Sequence, residues 1–195
     1  MRVVLLVFVW LLTNTLFGAT DNLAPQCDIL IQNGRVVDGS GNPWFHADVA
    51  IKDGRIIAIG RSLPHLAAQS IDAKGLVVSP GFIDIHSHSD TNILRDGLAQ
   101  SKIRQGVTTE ILGEGGSAAP STGARAPRSL VIDGQISRWS TFTEYFDLVD
   151  KQTTSVNIAS YVGLSTVWQC VMGNSFARPN ETQFGKMENL ISTAM

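Results

Sequence analysis

Ser79-Pro80-Gly81-Phe82-Ile83-Asp84-Ile85-His86-Ser87-His88 is the stretch at which the chain changes character. Ser79-Pro80-Gly81 is a break, and Phe82 to His86 is a compact apolar strand without one clean polar face. That is the pattern of a parallel strand covered on both sides. Residues two apart in a strand point the same way, so His86 and His88 converge, and Asp84 shares their facing at greater depth. Neutral imidazole is a good ligand for zinc and similar divalent ions, and two from one strand end make half a site. At the C-terminal mouth of an α/β barrel, that strand end is where active sites are built.

Downstream, the pattern predicts a helix over 94–105 closed by Gly106, then a strand from Val107 to Leu112 running into Gly113-Glu114-Gly115-Gly116. Residues 117–138 read as a loop rich in Ala, Pro, Ser and Gly. Phe142, Tyr145, Phe146 and Val149 recur at helical spacing, and 156–162 read as a third strand. Asn180 and Gln183 form a capping box for a last helix, whose Phe184, Met187, Leu190, Ile191 and Ala194 share a face. Strands alternating with helices make βα units, at about 30 residues each. Three units and the start of a fourth fit between Pro80 and Met195, well short of the roughly 250 residues of a complete barrel. The fold class expected is α/β, an incomplete TIM-type barrel, with the chain as the N-terminal part of a longer protein.

Upstream, from Cys27 to about Pro80, the chain reads as short strands and tight turns. Ile29 and Ile31 alternate with polar neighbours, Asn33-Gly34 and Asp53-Gly54 are hairpin signals, and Lys74-Gly75 precedes Leu76-Val77-Val78. This predicts a small β-sandwich, with Cys27 a strand residue and His46 and His65 ordinary polar positions. Arg2, the apolar run Val3 to Leu12, and the small Gly18 and Ala19 have the layout of a secretory signal peptide. The apolar run falls short of the about 20 residues of a membrane span, so no stable anchor is expected. The expected organisation is a signal over 1–24, a β-segment over 25–79 and barrel units over 80–195, exported to the periplasm or the exterior. A net charge of −2 over 195 residues leaves no basic footprint for nucleic acid, and two cysteines are too few for a disulfide framework.

The run Val77 to Asp90, read whole, resembles the opening motif of the amidohydrolase superfamily, and within it the N-acyl-D-amino-acid deacylases (D-aminoacylases). Asp28 to Gly39 and Asp48 to Ile56 look like that family's first two hairpins, and Ser101 to Thr109 and Val156 to Gly163 look like its next blocks. The resemblance implies a small β-domain packed on a metal-bearing barrel, one or two divalent ions (zinc), and hydrolysis of a small-molecule N-acyl amino acid. In that chemistry a metal-bound water attacks the acyl carbonyl while an aspartate from a later strand moves the proton. His86 and His88 carry over as metal ligands. Two further histidines and the aspartate are expected beyond Met195, so no catalytic residue is assigned within this chain and residues 1–195 alone are expected to be inactive.

Two departures matter. Many deacylases carry a cysteine ligand in Gly-Asn-Cys-Gly, where this chain has Gly113-Glu114-Gly115-Gly116. Glu114 is one position away and is either the replacement ligand or a loop carboxylate. Leu164 stands where relatives often have histidine. Other acidic residues have plainer readings: Asp84 a hydrogen-bonding role, Glu110 a strand-end charge, and Asp90 either orienting a ligand histidine or starting the next loop. Trp139, Phe142, Tyr145 and Phe146 read as core packing. The alternatives are a cyclic-amide hydrolase of the hydantoinase or dihydroorotase kind, or a non-catalytic truncated fragment. The former use a carboxylated lysine, and no lysine ends the second strand. Composition names neither acyl group, amino-acid side chain, metal count nor oligomeric state.

Overall fold

The computed structural model describes residues 26–194; the signal segment expected over 1–24 lies outside the described residues. The chain divides into two compact units, at the bond between Pro80 and Gly81.

The first unit is one five-stranded sheet built on a long central strand. That strand is β1 (Gln26–Val36), and β2 (Phe45–Lys52), β3 (Arg55–Gly60), β4 (Leu66–Asp72) and β5 (Val77–Val78) follow. The order is β3-β2-β1-β4, with β5 beside the end of β1. Asp53 and Gly54, with φ of 50° and 70°, make the two-residue turn between β2 and β3 that the sequence signals. Asn33-Gly34 behaves differently from expectation: the chain does not reverse there, and β1 runs straight through it. Gln32 and Asn33 of β1 pass against the single residue Asp48 of β2, so the left-handed Asn33 (φ 61°) makes a bulge. Its N–H goes to Asp48 Oδ1 and its side-chain amide to Asp72 Oδ1, each at 2.9 Å. Those two carboxylates hold the bulge open and leave Arg35 and Val36 free to pair with both β2 and β5. Because β2 takes one edge of β1 while β4 and β5 take the other, the described strands join a single sheet. The second layer of a sandwich is not among them. Cys27, Leu30 and Ala50 pack one cluster, and Val36, Ala47 and Val49 another.

The second unit starts with β6 (Phe82–Ser87), α1 (Gln100–Ile103) and β7 (Val107–Leu112), then the pair β8 (Arg128–Ile132) and β9 (Gln135–Trp139). It continues with α2 (Phe142–Gln152), β10 (Asn157–Ser160), α3 (Leu164–Met172) and α4 (Glu181–Ala194). β6, β7 and β10 form a parallel sheet with β7 in the centre. The helix expected over 94–105 is only the four residues of α1. Gly97 sits where a Cβ would come within 2.8 Å of the Gln152 carbonyl oxygen, and its own carbonyl accepts the Ser155 N–H at 2.8 Å. That backbone-on-backbone contact, with Ala99 in the left-handed region at φ 44°, stops a helix from running through. The expected loop over 117–138 contains the hairpin β8–β9, closed by Asp133-Gly134 at φ 50° and 77°. The sequence reading also passed over β4 and α3.

Trp139 and Tyr145 are 1% and 0% exposed and sit in a core with Leu94, Leu112 and Val149. Their polar tips are satisfied: the Trp139 indole donates to the Ala118 carbonyl at 3.0 Å and the Tyr145 hydroxyl to the Asp90 carbonyl at 2.9 Å. The α2 helix starts with a capping box, in which Thr141 Oγ1 accepts the Glu144 N–H at 3.2 Å. The Glu144 carboxylate in turn accepts the N–H groups of Ser140 and Thr141 at 2.6 and 3.1 Å. These two donors, Ser140 first, hold the carboxyl of Glu144 below its usual range. A lowered folded value means stabilisation that is full above the unfolded value of about 4.3 and lost as pH falls through it towards the folded one. The advantage of the full-length wild type over Glu144→Gln in urea unfolding is therefore expected to shrink between about pH 6 and about pH 3. An advantage that stays constant over that range would remove the ionised carboxylate from the cap.

Candidate metal centre

β6 does not alternate regularly to its end. Asp84 lies opposite Glu110 and Ser87 opposite Leu112, so three residues of β6 pass against two of β7. The additional residue brings Ser87 to the side of Asp84 and Glu110. Lys102 Nζ reaches both, at 2.6 Å from Asp84 Oδ2 and 3.3 Å from Ser87 Oγ. Asp84 is thus grouped with Lys102 and Ser87, and the facing it was expected to share with the histidines is broken by the bulge. Lys102 first, and then the His86 N–H, hold its carboxyl below the ordinary carboxylate range.

The histidines lead elsewhere. His86 Nδ1 is in direct contact with a carboxylate oxygen of Glu114, and the His88 ring stands edge-on to that of His86 with centroids 5.1 Å apart. His86 and Glu114 are both more than half exposed, at 64% and 53%. Glu114 is carried by a loop tied to the next strand and helix by hydrogen bonds. Tyr161 N–H donates to the Leu112 carbonyl at 2.8 Å, Gly163 N–H to Ser117 Oγ at 3.0 Å, and Ser165 N–H to the Gly115 carbonyl at 3.0 Å. The 113–117 loop is pinned to the end of β10 and the start of α3. Gly163 permits it: a Cβ there would lie 2.7 Å from Ser117 N and 2.8 Å from the Gly115 oxygen.

Behind the histidines is a second group that the sequence reading missed. Glu110 was read as a strand-end charge, yet it is 0% exposed in the body of β7. Its Oε2 accepts the Ser87 hydroxyl at 2.5 Å and also that of Ser89. Its position between Thr109 and Ile111, inside an otherwise uncharged strand, was the available signal. Asp90 orients no histidine; it pairs with Arg128 at 3.4 Å, from β8. His46 lies against Trp44 and His65 is partly buried, both in the first unit.

Two imidazoles and a carboxylate form a nitrogen-and-oxygen donor set that suits a divalent cation such as zinc. The contact between His86 and Glu114 brings an imidazole nitrogen and a carboxylate oxygen to one place at the strand ends. Among the described residues no group of three or more His, Cys, Asp or Glu side chains gathers on one point. The fit is therefore one of donor type and placement, with His88 adjacent to the contacting pair.

The model of a family described as the amidohydrolase family matches residues 69–179. The chain belongs to the amidohydrolase family. A D-aminoacylase of Alcaligenes xylosoxydans xylosoxydans is 37% identical over 171 residues, which are 86% of this chain and 35% of the relative. The N-acyl-D-aspartate deacylase of the same organism is 31% identical, over 90% of this chain and 36% of its own length. Among solved structures, an N-acyl-D-glutamate deacylase of Bordetella bronchiseptica, complexed with zinc and a phosphonate inhibitor, superposes with a TM-score of 0.75 at 32% identity. That match covers 87% of this chain and 36% of the other. A D-aminoacylase crystal structure gives a TM-score of 0.74 at 36% identity, over 86% and 36%. The amidohydrolase chain thus spans about a third of the length of these relatives. An L-hydantoinase of Arthrobacter aurescens, at 20% identity and a TM-score of 0.52, shares the fold.

The tight seat of Gly163 makes a prediction. Gly163→Ala in the full-length protein is expected to lower unfolding stability by about 1–3 kcal/mol, because a methyl there must displace the 115–117 backbone. Urea denaturation measures it, and an unchanged midpoint would mean that the loop is not held against β10 as described.

Proposed function

We propose that this chain carries the opening metal ligands of a metal-dependent hydrolase that deacylates N-acyl-D-amino acids, with His86, His88 and Glu114 as ligand positions. The observation that carries the reading is the contact of His86 Nδ1 with Glu114 beside β10, at the C-terminal ends of adjacent parallel strands. Active sites of α/β barrels are built at that end. Glu114 takes the part that cysteine plays in many relatives, whose place is Gly115 here. Its carboxylate supplies the anionic donor that two neutral imidazoles lack. A divalent ion, when bound, lowers the pKa of its water towards about 7 and polarises the scissile carbonyl. This chain's residues bind and orient; none of them is assigned the proton transfer.

Support for the substrate class comes from relatives named for N-acyl-D-amino acids, and support for zinc from the zinc-bound glutamate deacylase. A D-aminoacylase with a binuclear metal centre fits a count of one or two ions. Support for a barrel comes from three parallel strands in sequence order and from Ile83 and Ile85 of β6. Both remain over 60% exposed where parallel strands are ordinarily covered on both faces. The first unit is the sheet of an accompanying β-sandwich.

Glu114→Gln in the full-length enzyme keeps the shape and removes the negative charge, so zinc content by elemental analysis and hydrolysis of N-acyl-D-amino acids should both fall sharply. Full zinc occupancy with unchanged turnover would take Glu114 out of the site.

Export belongs to the same reading. Among the described residues no helix is long and apolar enough to cross a membrane. The Arg2 to Ala19 pattern is expected to direct secretion with cleavage, leaving a mature N-terminus between residues 19 and 25. Mass spectrometry of the exported protein decides this, since a product that retains Met1 contradicts it.

A further inference from the structure

His86 and His88 alternate with two serines, and both serine hydroxyls end on one carboxylate oxygen of Glu110. β6 ends at Ser87, so the ladder to β7 no longer holds the backbone where His88 and Ser89 stand. What holds it is one turn hydrogen bond, from Ile93 N–H to the Ser89 carbonyl at 2.9 Å, together with side-chain chemistry. Glu110 grips the residue on either side of His88, while the Tyr145 hydroxyl and Arg128 take the carbonyl and carboxylate of Asp90 immediately after.

Glu110 is costly for the fold. Charged side chains are almost never fully buried unless paired. Here Oε1 is buried without a hydrogen-bond partner, and the Lys102 ammonium stands 4.0 Å from Oε2 while it contacts Asp84 more closely. A well-packed apolar residue of similar volume at such a position is often neutral or stabilising. Packing therefore does not account for this carboxylate, whereas its two hydroxyl contacts do. A side cavity of about 410 Å³, lined by Ser87, His88, Ser89, Lys102 and Glu110 among others, adjoins this grip. Space beside His88 leaves the segment that bears it room to shift unless its backbone is fixed.

We propose that Glu110 is a positioning residue for the histidine pair: through Ser87 and Ser89 it fixes the end of β6 so that His88 is held beside His86. The inference rests on the metal-site reading above. Partners that orient ligands ordinarily contribute about 10- to 100-fold in metal affinity.

The test uses the full-length protein, zinc alone and a competing chromophoric chelator, with cobalt(II) as a spectroscopic substitute. Glu110→Gln is expected to weaken zinc binding by about 10- to 100-fold and to alter the visible cobalt spectrum, while the urea midpoint of the metal-free protein barely moves. Ser89→Ala should weaken zinc binding in the same direction by less, and should add little in the Glu110→Gln background because both remove one grip. Wild-type zinc affinity and cobalt spectrum in folded Glu110→Gln overturn the positioning role. Should that variant not fold, wild-type affinity in Ser89→Ala overturns it. The failure of the metal-site reading looks different: there wild type itself takes up no zinc, or Glu114→Gln and His86→Ala bind it as wild type does.

Discussion

The parallel pairing of β7 with β6 on one side and β10 on the other is the constraint on which the site depends. It lays three strand ends side by side, and His86 and the loop that bears Glu114 hang from those ends. The end of β6 contributes the imidazoles, the loop after β7 contributes Glu114, and the turn between β10 and α3 contributes Gly163, the small residue against which that loop is seated. A shift of one residue in any of the three registers would turn side chains to the other face of the sheet. The bulge between Asp84 and Ser87 uses that sensitivity. It assigns Asp84 and Ser87 to the Lys102 side and leaves the histidines to Glu114.

The two sides of β6 have different chemistry. On the exposed side, imidazole and carboxylate meet in a position open to solvent. On the other side, the partly buried Asp84, Lys102 and Ser89 join the buried Glu110 and Ser87 in a polar network in which Glu110 Oε1 lacks a partner. Buried networks of this kind specify one arrangement more than they add stability, because the desolvation of each charge offsets much of what its partners return. A metal site gains from such specificity, since ligands displaced by a fraction of an ångström bind weakly.

Much of this was legible from local pattern. Asp53-Gly54 made its turn, Phe142 to Val149 made their helix, and His86-Ser87-His88 came at the end of a parallel strand, because each depends on neighbours in the chain. The resemblance to deacylases, carried by blocks spread along the sequence, agrees with relatives 31–37% identical over most of the chain. Asn33-Gly34 carries the same local signal as Asp53-Gly54 yet became a bulge, because Asp48 and Asp72, distant in sequence, took its hydrogen bonds. The short α1 has a similar cause in the approach of Gln152 to Gly97, and the hairpin β8–β9 was hidden in a stretch whose composition reads as loop.

The sequence by itself determined the turn at Asp53-Gly54, the helix of Phe142 to Val149 and the alternation of β6, β7 and β10 with helices, since residue chemistry and period are local properties. Tertiary structure alone decided which donors meet. Glu114 stands 28 residues beyond His86, and only the β6–β7 pairing and the seat on Gly163 bring it there. Glu110 could be read as a surface charge until the fold buried it, because burial is a property of what surrounds a residue. Strict alternation put Asp84 with the histidines, and a single additional residue in the ladder, set by pairing across the sheet, moved it to the other side.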